Sequence, residues 1–327
     1  MPLLKSDFIP KIPFKNGYFN TIYRPLFMKD TCQYNRKRIT TWDADFIDLD
    51  FSLVGGNTLA LLIHGLEGNS SSKYIASTSN QLNAIGIDTV CFNLRGCSGE
   101  DNLLLGTYHS GKTEDVDFVV QHLVNNYAYE SLVIIGFSLG GNLTLKYMGE
   151  FANTQPSKIK GAIAVSVPVD ITTAEKEMDM LKNKLYIEIF FKTMKNKILE
   201  KAHKFPEYQL NKEKLFKATR FKHLEHLYTV PVFGFKSPED YWKKASAKPY
   251  LSKITKPTLL INAKDDTFLS KECYPYQEAK NSSYFHLMVT KYGGHVGFMS
   301  SFIPKENIWL EKEIINFIKE TIHIEML

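Results

Sequence analysis

Residues Gly136-Phe137-Ser138-Leu139-Gly140 set a serine between two glycines. They follow the apolar run Leu132-Val133-Ile134-Ile135 and precede Asn142-Leu143-Thr144-Leu145-Lys146-Tyr147-Met148, which reads as a helix. A strand, a sharp turn and a helix with serine at the apex lift a hydroxyl above the edge of a sheet. Ser138 then sits in a strained turn that close packing must hold. Gly136 and Gly140 supply the closeness, because a side chain at either position would collide across the turn. A serine hydroxyl is a poor nucleophile at neutral pH; it needs an imidazole to take its proton, and the imidazole needs an acceptor to fix its tautomer. Both stand downstream, in the chain order serine, acid, histidine. Asp266 lies in Ala263-Lys264-Asp265-Asp266-Thr267-Phe268 and His295 in Tyr292-Gly293-Gly294-His295-Val296-Gly297-Phe298. Each loop follows an apolar run, 257–262 and 284–289 respectively. Of nine histidines, His295 alone combines a loop after a late strand with glycines on both sides. Asp265 competes for the acid's place. With the strand ending near Asn262, Asp266 is better placed to turn into the site, and Asp265 to cap or pair locally.

Acyl transfer also needs donors for a developing oxyanion. The NH of Leu139, directly after the serine, is one. The NH of Leu66, in His64-Gly65-Leu66-Glu67-Gly68 after the third strand, is the other, with His64 bracing that loop.

The elements that must position these groups alternate along the chain. A hairpin over 38–42 and 45–52 is followed by strands over 58–63, 87–92, 132–135 and 159–165, with helices over 74–85, 113–125 and 142–151 between them. This alternation predicts an α/β protein with a mostly parallel central sheet and helices on both faces. It stops for about 90 residues, from 168 to 256, and resumes with strands over 257–262 and 284–289 and a closing helix over 306–322. We expect a core formed by 1–167 and 251–327 and a helical cap, 168–250, inserted at the carboxyl edge where open α/β sheets place ligands. Within the cap, Leu185-Tyr186-Ile187-Glu188-Ile189-Phe190-Phe191 is too apolar for a free surface helix. It either packs against the core or lines an acyl-chain pocket.

A chain of 327 residues with 44% apolar content buries a large core. No stretch approaches a membrane span, and Met1-Pro2-Leu3-Leu4-Lys5-Ser6-Asp7 lacks the apolar segment of a secretory signal, so a cytoplasmic location is expected. Cys32, Cys91, Cys97 and Cys273 show no CxxC spacing and read as free thiols. The net charge of +5 is uneven: residues 171–250 carry 17 Lys and Arg against 10 Asp and Glu, a local +7. Such an excess is most simply a solvated helical surface, though it could draw anionic lipid or an acidic substrate. No nucleic-acid partner, cofactor or metal is expected. His223-Leu224-Glu225-His226 has no evident third ligand. Asn93-Leu94-Arg95-Gly96-Cys97-Ser98-Gly99-Glu100 lacks phosphate-loop spacing and is expected to shape the pocket rim, with Arg95 and Glu100 tying loops together.

Together, His64 to Gly68, Asn93 to Glu100 and Gly136-Phe137-Ser138-Leu139-Gly140-Gly141-Asn142 resemble the YheT-like α/β-hydrolases, related to the ABHD lipid hydrolases and the fungal ethyl ester synthase/esterases. The likeness starts near Gly17 and continues through Ser237-Pro238-Glu239-Asp240-Tyr241-Trp242 to the Asp265-Asp266 and His295 loops. It implies the α/β-hydrolase fold and hydrolysis of carboxylic esters by Ser138, Asp266 and His295, with acyl transfer to alcohols in some relatives. Thr267 replaces the family's usual proline, and Gly17-Tyr18-Phe19-Asn20-Thr21 departs from a motif ending in Gln-Thr. The expected activity is therefore a serine carboxylesterase acting on a small-molecule lipid or acyl ester through an acyl-enzyme. An alcohol acyltransferase and a non-catalytic lipid-binding protein are the rivals. Dehalogenase and epoxide-hydrolase relatives place a carboxylate where this chain has Ser138.

Overall fold

Runs such as Thr58-Leu59-Ala60-Leu61-Leu62-Ile63 are apolar at nearly every position because both faces of a parallel strand are covered. In the computed structural model, which describes residues 2–323, these runs form a nine-stranded sheet. Its strands are β1 (Leu3–Leu4), β2 (Asn35–Thr40), β3 (Phe46–Ser52), β4 (Thr58–Ile63), β5 (Asp88–Asn93), β6 (Ser131–Phe137), β7 (Ile159–Val165), β8 (Thr258–Ala263) and β9 (Phe285–Thr290). Their order is β1-β9-β8-β7-β6-β4-β5-β3-β2. Only the β2–β3 and β3–β5 pairings are antiparallel.

The helices are α1 (Gly17–Phe27), α2 (Lys73–Asn83), α3 (Thr113–Asn126), α4 (Leu139–Glu150), α5 (Ile171–Met178), α6 (Lys184–Lys204), α7 (Lys212–Lys217), α8 (Phe221–Leu227), α9 (Thr229–Phe233), α10 (Pro238–Ala245), α11 (Tyr276–Lys280) and α12 (Trp309–Phe317). Strand side chains alternate between two cores. Leu59, Leu61 and Ile63 pack with Val116, Val119 and Leu143 of α3 and α4. Ala60 and Leu62 join Ile75, Leu82, Leu310 and Ile314 of α2 and α12 on the other face. The register sets Ile63 beside Gly136, Phe137 beside Val165, Val165 beside Ile261 and Ala263 beside Thr290. The loops after β4, β6, β8 and β9 therefore leave the sheet along one edge. The winding also reverses between β4 and β6, the crevice where open sheets bind ligands.

Two expectations change, and the amino-terminal residues add two elements. The amino-terminal residues form β1, which pairs with β9, and α1; neither has a clear local signature. The closing helix is divided into a 3-10 turn (Pro304–Glu306), α12 and a π-helical turn (Ile318–Ile322). The loop 93–100 does not line the cavity at Ser138. Arg95 is buried instead in a carboxylate cage, bidentate to Asp115 at 2.8 and 2.9 Å and 3.0 Å from both Asp43 and Asp45. Glu100 pairs with Arg38 of β2 at 2.7 Å. Both residues tie loops together, but on the side of the hairpin rather than at the pocket.

Between β7 and β8 the chain is helical throughout, α5 to α10, with an apolar cluster that includes Ile187, Phe191, Leu215, Phe221 and Leu224. Phe191 packs edge-on against Phe221 at 5.1 Å. Phe190 and Phe191 are absent from the lining of the cavity at Ser138, whereas Met194 and Ile198, one and two turns further along α6, are part of it. Packing therefore explains Tyr186, Ile187 and Phe191 at the start of this helix, while Leu185 and Ile189 are exposed and the pocket-facing stretch begins later. Nor is the basic excess wholly solvated. Lys201 is buried and donates to the carbonyls of Asn102 and Leu104 at 2.8 and 2.6 Å, and Lys197 pairs with Glu67 at 2.8 Å. These lysines bolt α6 to loops at the sheet edge. The four cysteines are free, and among the described residues no helix is long and apolar enough to cross a membrane.

Candidate active site

β6 delivers Ser138 into φ 53°, ψ −118°, and the Ser138 NH still donates to Val165 O of β7 at 2.8 Å. The strain persists because the turn has no slack. A Cβ on Gly136 would lie 2.2 Å from Thr144 Oγ1 and 2.3 Å from Gly140 O, and one on Gly140 would lie 2.3 Å from Ile63 O. Gly136→Ala should accordingly force the elbow apart. We expect a loss of about 3 kcal/mol or more in stability, visible as a fall of about 5 °C or more in Tm, together with lost activity.

Ser138 Oγ lies 2.8 Å from His295 Nε2, and His295 Nδ1 lies 2.8 Å from Asp266 Oδ2. Asp266 is buried, and its other oxygen accepts from the Phe268 NH at 2.9 Å. The Phe268 ring packs against the imidazole at 4.5 Å. Asp265 points elsewhere and accepts from the Gly294 NH at 2.9 Å, so it shapes the histidine loop. Burial holds the Asp265 carboxyl above its ordinary range. The three residues singled out in the sequence thus form one hydrogen-bonded chain.

The histidine loop is tightly wound, with Gly294, Val296 and Phe298 at φ 58°, 57° and 49°. α1 clamps it. Thr21 Oγ1 accepts from the His295 NH at 2.8 Å, and Asn20 holds Met299 through both its NH and its carbonyl, each at 2.9 Å. A Cβ on Gly17 would overlap Asp265 O at 2.0 Å, and one on Gly294 would overlap Gly17 O at 2.4 Å. Ser166, itself at φ 54°, accepts from the Val296 NH at 2.9 Å. Thr21 and Ser166 escaped the sequence reading. The only trace of Thr21 was the amino-terminal motif that ends on it.

The loop after β4 lies against the elbow, since a Cβ on Gly65 would sit 3.1 Å from Ser138 Cβ. The Gly65 NH donates to Tyr74 Oη at 2.9 Å and the Glu67 NH to Tyr108 Oη at 3.0 Å. Both neighbours of Leu66 are occupied, and Leu66 and Leu139, the latter at the start of α4, line the cavity. A helix amino terminus favours negative charge there. His64 braces this loop: Nδ1 donates to Gly65 O at 2.7 Å and Nε2 accepts from the Leu94 NH at 3.1 Å. Burial lowers its pKa to about 4, which keeps it neutral in that tautomer. His223 and His226 are exposed, and among the described residues no group of three His, Cys, Asp or Glu could hold a metal ion.

Ser138 opens into a cavity between the sheet edge and the helical insertion, with Ile171, Ala174, Met178, Met194, Ile198 and Phe221 among its apolar lining. Sheet order, elbow and the two late loops are those of the α/β-hydrolase class of enzymes. Residues 60–301 match the family described as alpha/beta hydrolase fold. The chain is 30% identical over 317 residues to YheT of Escherichia coli K12, which carries an esterase name, covering 94% of this chain and 92% of that protein. It is 27% identical over 329 residues to the human phospholipase ABHD3, covering 97% and 80%. An esterase of Pyrococcus furiosus superposes with a TM-score of 0.59 at 19% identity, covering 88% and 91%, which is a likeness of fold. The chain belongs to the YheT-like α/β-hydrolase family, whose named relatives make it an enzyme of the carboxylic ester hydrolase type.

Proposed function

We propose that the protein hydrolyses carboxylic esters with a lipid-like acyl chain, using Ser138 as nucleophile, His295 as proton shuttle and Asp266 as orienting carboxylate. The observation that carries this reading is the unbroken hydrogen-bonded chain from Asp266 through His295 to Ser138, ending in an apolar cavity. His295 Nε2 takes the hydroxyl proton as Ser138 Oγ bonds to the ester carbonyl carbon. The NH groups of Leu66 and Leu139 hold the resulting oxyanion. The imidazolium, stabilised by Asp266, then protonates the leaving alcohol as its bond to the acyl carbon breaks. Water, deprotonated by His295, attacks the acyl-enzyme and releases the acid. The helical insertion 168–250 acts as the cap that closes the acyl site, and its exposed lysines suit brief contact with an anionic lipid surface.

Chain-length selectivity tests the acyl site. Met194→Ala removes about three heavy atoms of lining, so a p-nitrophenyl ester long enough to reach it should lose about 2 kcal/mol, roughly 30-fold in kcat/KM, relative to the acetate. Equal losses on both esters would place Met194 outside the acyl site. Phe191→Ala should instead lower Tm by several degrees and leave the selectivity ratio unchanged, because that ring packs on Phe221 within the insertion. Hydrolysis of these esters by wild type, with free acid as product even when ethanol is added, tests the assigned activity and separates it from acyl transfer to alcohols.

A further inference from the structure

The cavity over Ser138 has an acidic end that ester hydrolysis does not require. Glu175 of α5 and Glu225 of α8 both line it, and they are only 8% and 7% exposed. Trp242 Nε1 of α10 donates to Glu225 Oε2 at 2.6 Å. Among the described residues, no hydrogen-bond donor or cation engages Glu175. The charges that reach the pair are all negative: Glu225 and Asp179 act on Glu175, and Asp179 and Glu239 act on Glu225. The cations nearby are committed elsewhere. Arg220 lies 3.8 Å from Asp179, which also feels His223, and Lys222 lies 2.5 Å from Glu239. Lys197, which lines the same cavity, is held by Glu67. His109 also lines it, but burial drives its pKa down to about 3, so it brings no charge.

Two carboxyl groups in a water-poor cavity are costly unless they keep their protons or meet a cation. A pocket meant only for an acyl chain would be apolar here, and a structural acid pair would have a lysine or arginine. We infer that Glu175 and Glu225 form a recognition site for an ammonium group carried by the substrate, with the rings of Phe221, Tyr228 and Tyr241 as its walls. This rests on the ester-hydrolase reading for its substrate, though not for the binding itself.

The sign of the pH dependence follows. Without a cation, burial pushes Glu225 up to about 8, and burial followed by Glu225 itself pushes Glu175 well above the carboxylate range. At neutral pH an arriving ammonium group therefore displaces a proton, and its affinity rises with pH by up to about tenfold per unit until Glu225 ionises unaided.

Two measurements on the full chain decide it. Calorimetric titration with tetramethylammonium at pH 7, in buffers of different ionisation enthalpy, should show binding with proton release, and neopentyl alcohol should show neither. Glu225→Gln and Glu175→Gln should each weaken the binding at least tenfold. The kinetic arm compares butyrylcholine with 3,3-dimethylbutyl butyrate, which have the same shape and differ in charge. The ratio of their kcat/KM cancels every ionisation common to both, including those of the reacting groups. It should favour the cation about tenfold or more at pH 8.5, fall towards pH 6, and lose both preference and slope in the glutamine variants. A flat ratio near one in wild type, or tetramethylammonium binding unaltered by both substitutions, would overturn the inference. Should neither ester be hydrolysed, the p-nitrophenyl series decides the ester-hydrolase reading while calorimetry decides the cation site. Should a variant fail to fold, proton release and the pH trend in wild type decide it.

Discussion

Ser138→Ala should abolish covalent labelling by a fluorophosphonate probe and lower kcat by about 10⁵- to 10⁶-fold, the scale seen when a serine hydrolase of another fold loses its nucleophile. Deleting Oγ removes the one atom that can form the acyl-enzyme, whereas the NH groups of Leu66 and Leu139 and the cavity remain. A residual acceleration over water of about 10³- to 10⁴-fold should therefore survive. The fold should survive too, because the backbone at φ 53° is held by Gly136, Gly140 and the Val165 carbonyl rather than by the hydroxyl. Ser138→Gly should be equally inactive yet more stable than wild type by about 1 kcal/mol, since glycine relieves the positive φ. Labelling that persists at another serine in the Ala variant would overturn the assignment of the nucleophile.

Asp266→Asn should lower kcat by about 10⁴-fold, and the geometry says why. The Phe268 NH donates to Asp266 Oδ1 at 2.9 Å, so it will hold the amide oxygen of an asparagine there and turn the NH₂ towards His295 Nδ1. Nδ1 must then accept, Nε2 must carry the proton, and Nε2–H faces Ser138 Oγ in the wrong tautomer to act as a base. The same logic underlies the loss in the corresponding serine-protease variant. Asp265→Asn keeps an oxygen for the Gly294 NH and should cost no more than about tenfold. Steady-state kinetics on one ester, with Tm as a check on folding, compares the two, and a larger loss at Asp265 would mean that the wrong aspartate has been placed beside the imidazole.

Much of this site is legible in the sequence because its parts are local. The elbow is a five-residue pattern in which Gly136 is demanded by contacts with Thr144 and Gly140 close by, although Gly140 is demanded by the backbone of Ile63 and His64 at the end of β4. The buried strands announce themselves as unbroken apolar runs, and β4 and β7 begin and end where the pattern does. Asp266 and His295 could be chosen because chain order and a loop after a late strand restrict the candidates to a few.

What the sequence could not reveal is where a group's environment comes from distant parts of the chain. Thr21 is an ordinary helical residue until the histidine loop, far along the chain, folds onto it. The apolar start of α6 reads equally as core or pocket, and only the seat of Phe191 on Phe221 assigns it to packing. Lys197 and Lys201 look like the rest of a basic, solvated face, yet a carboxylate and carbonyls in loops about 100 to 130 residues earlier draw them inward. Glu175 and Glu225 are two acids in a lysine-rich segment, and nothing nearby in sequence says that both turn into the cavity over Ser138 while the lysine that shares it, Lys197, is held by Glu67. The sequence by itself determined most of the sheet, the elbow and the choice of candidate reacting groups, because each depends on patterns a few residues long. Tertiary structure alone decided how the histidine is held, what lines the cavity and where charge is left uncompensated, because burial and pairing depend on which remote elements meet.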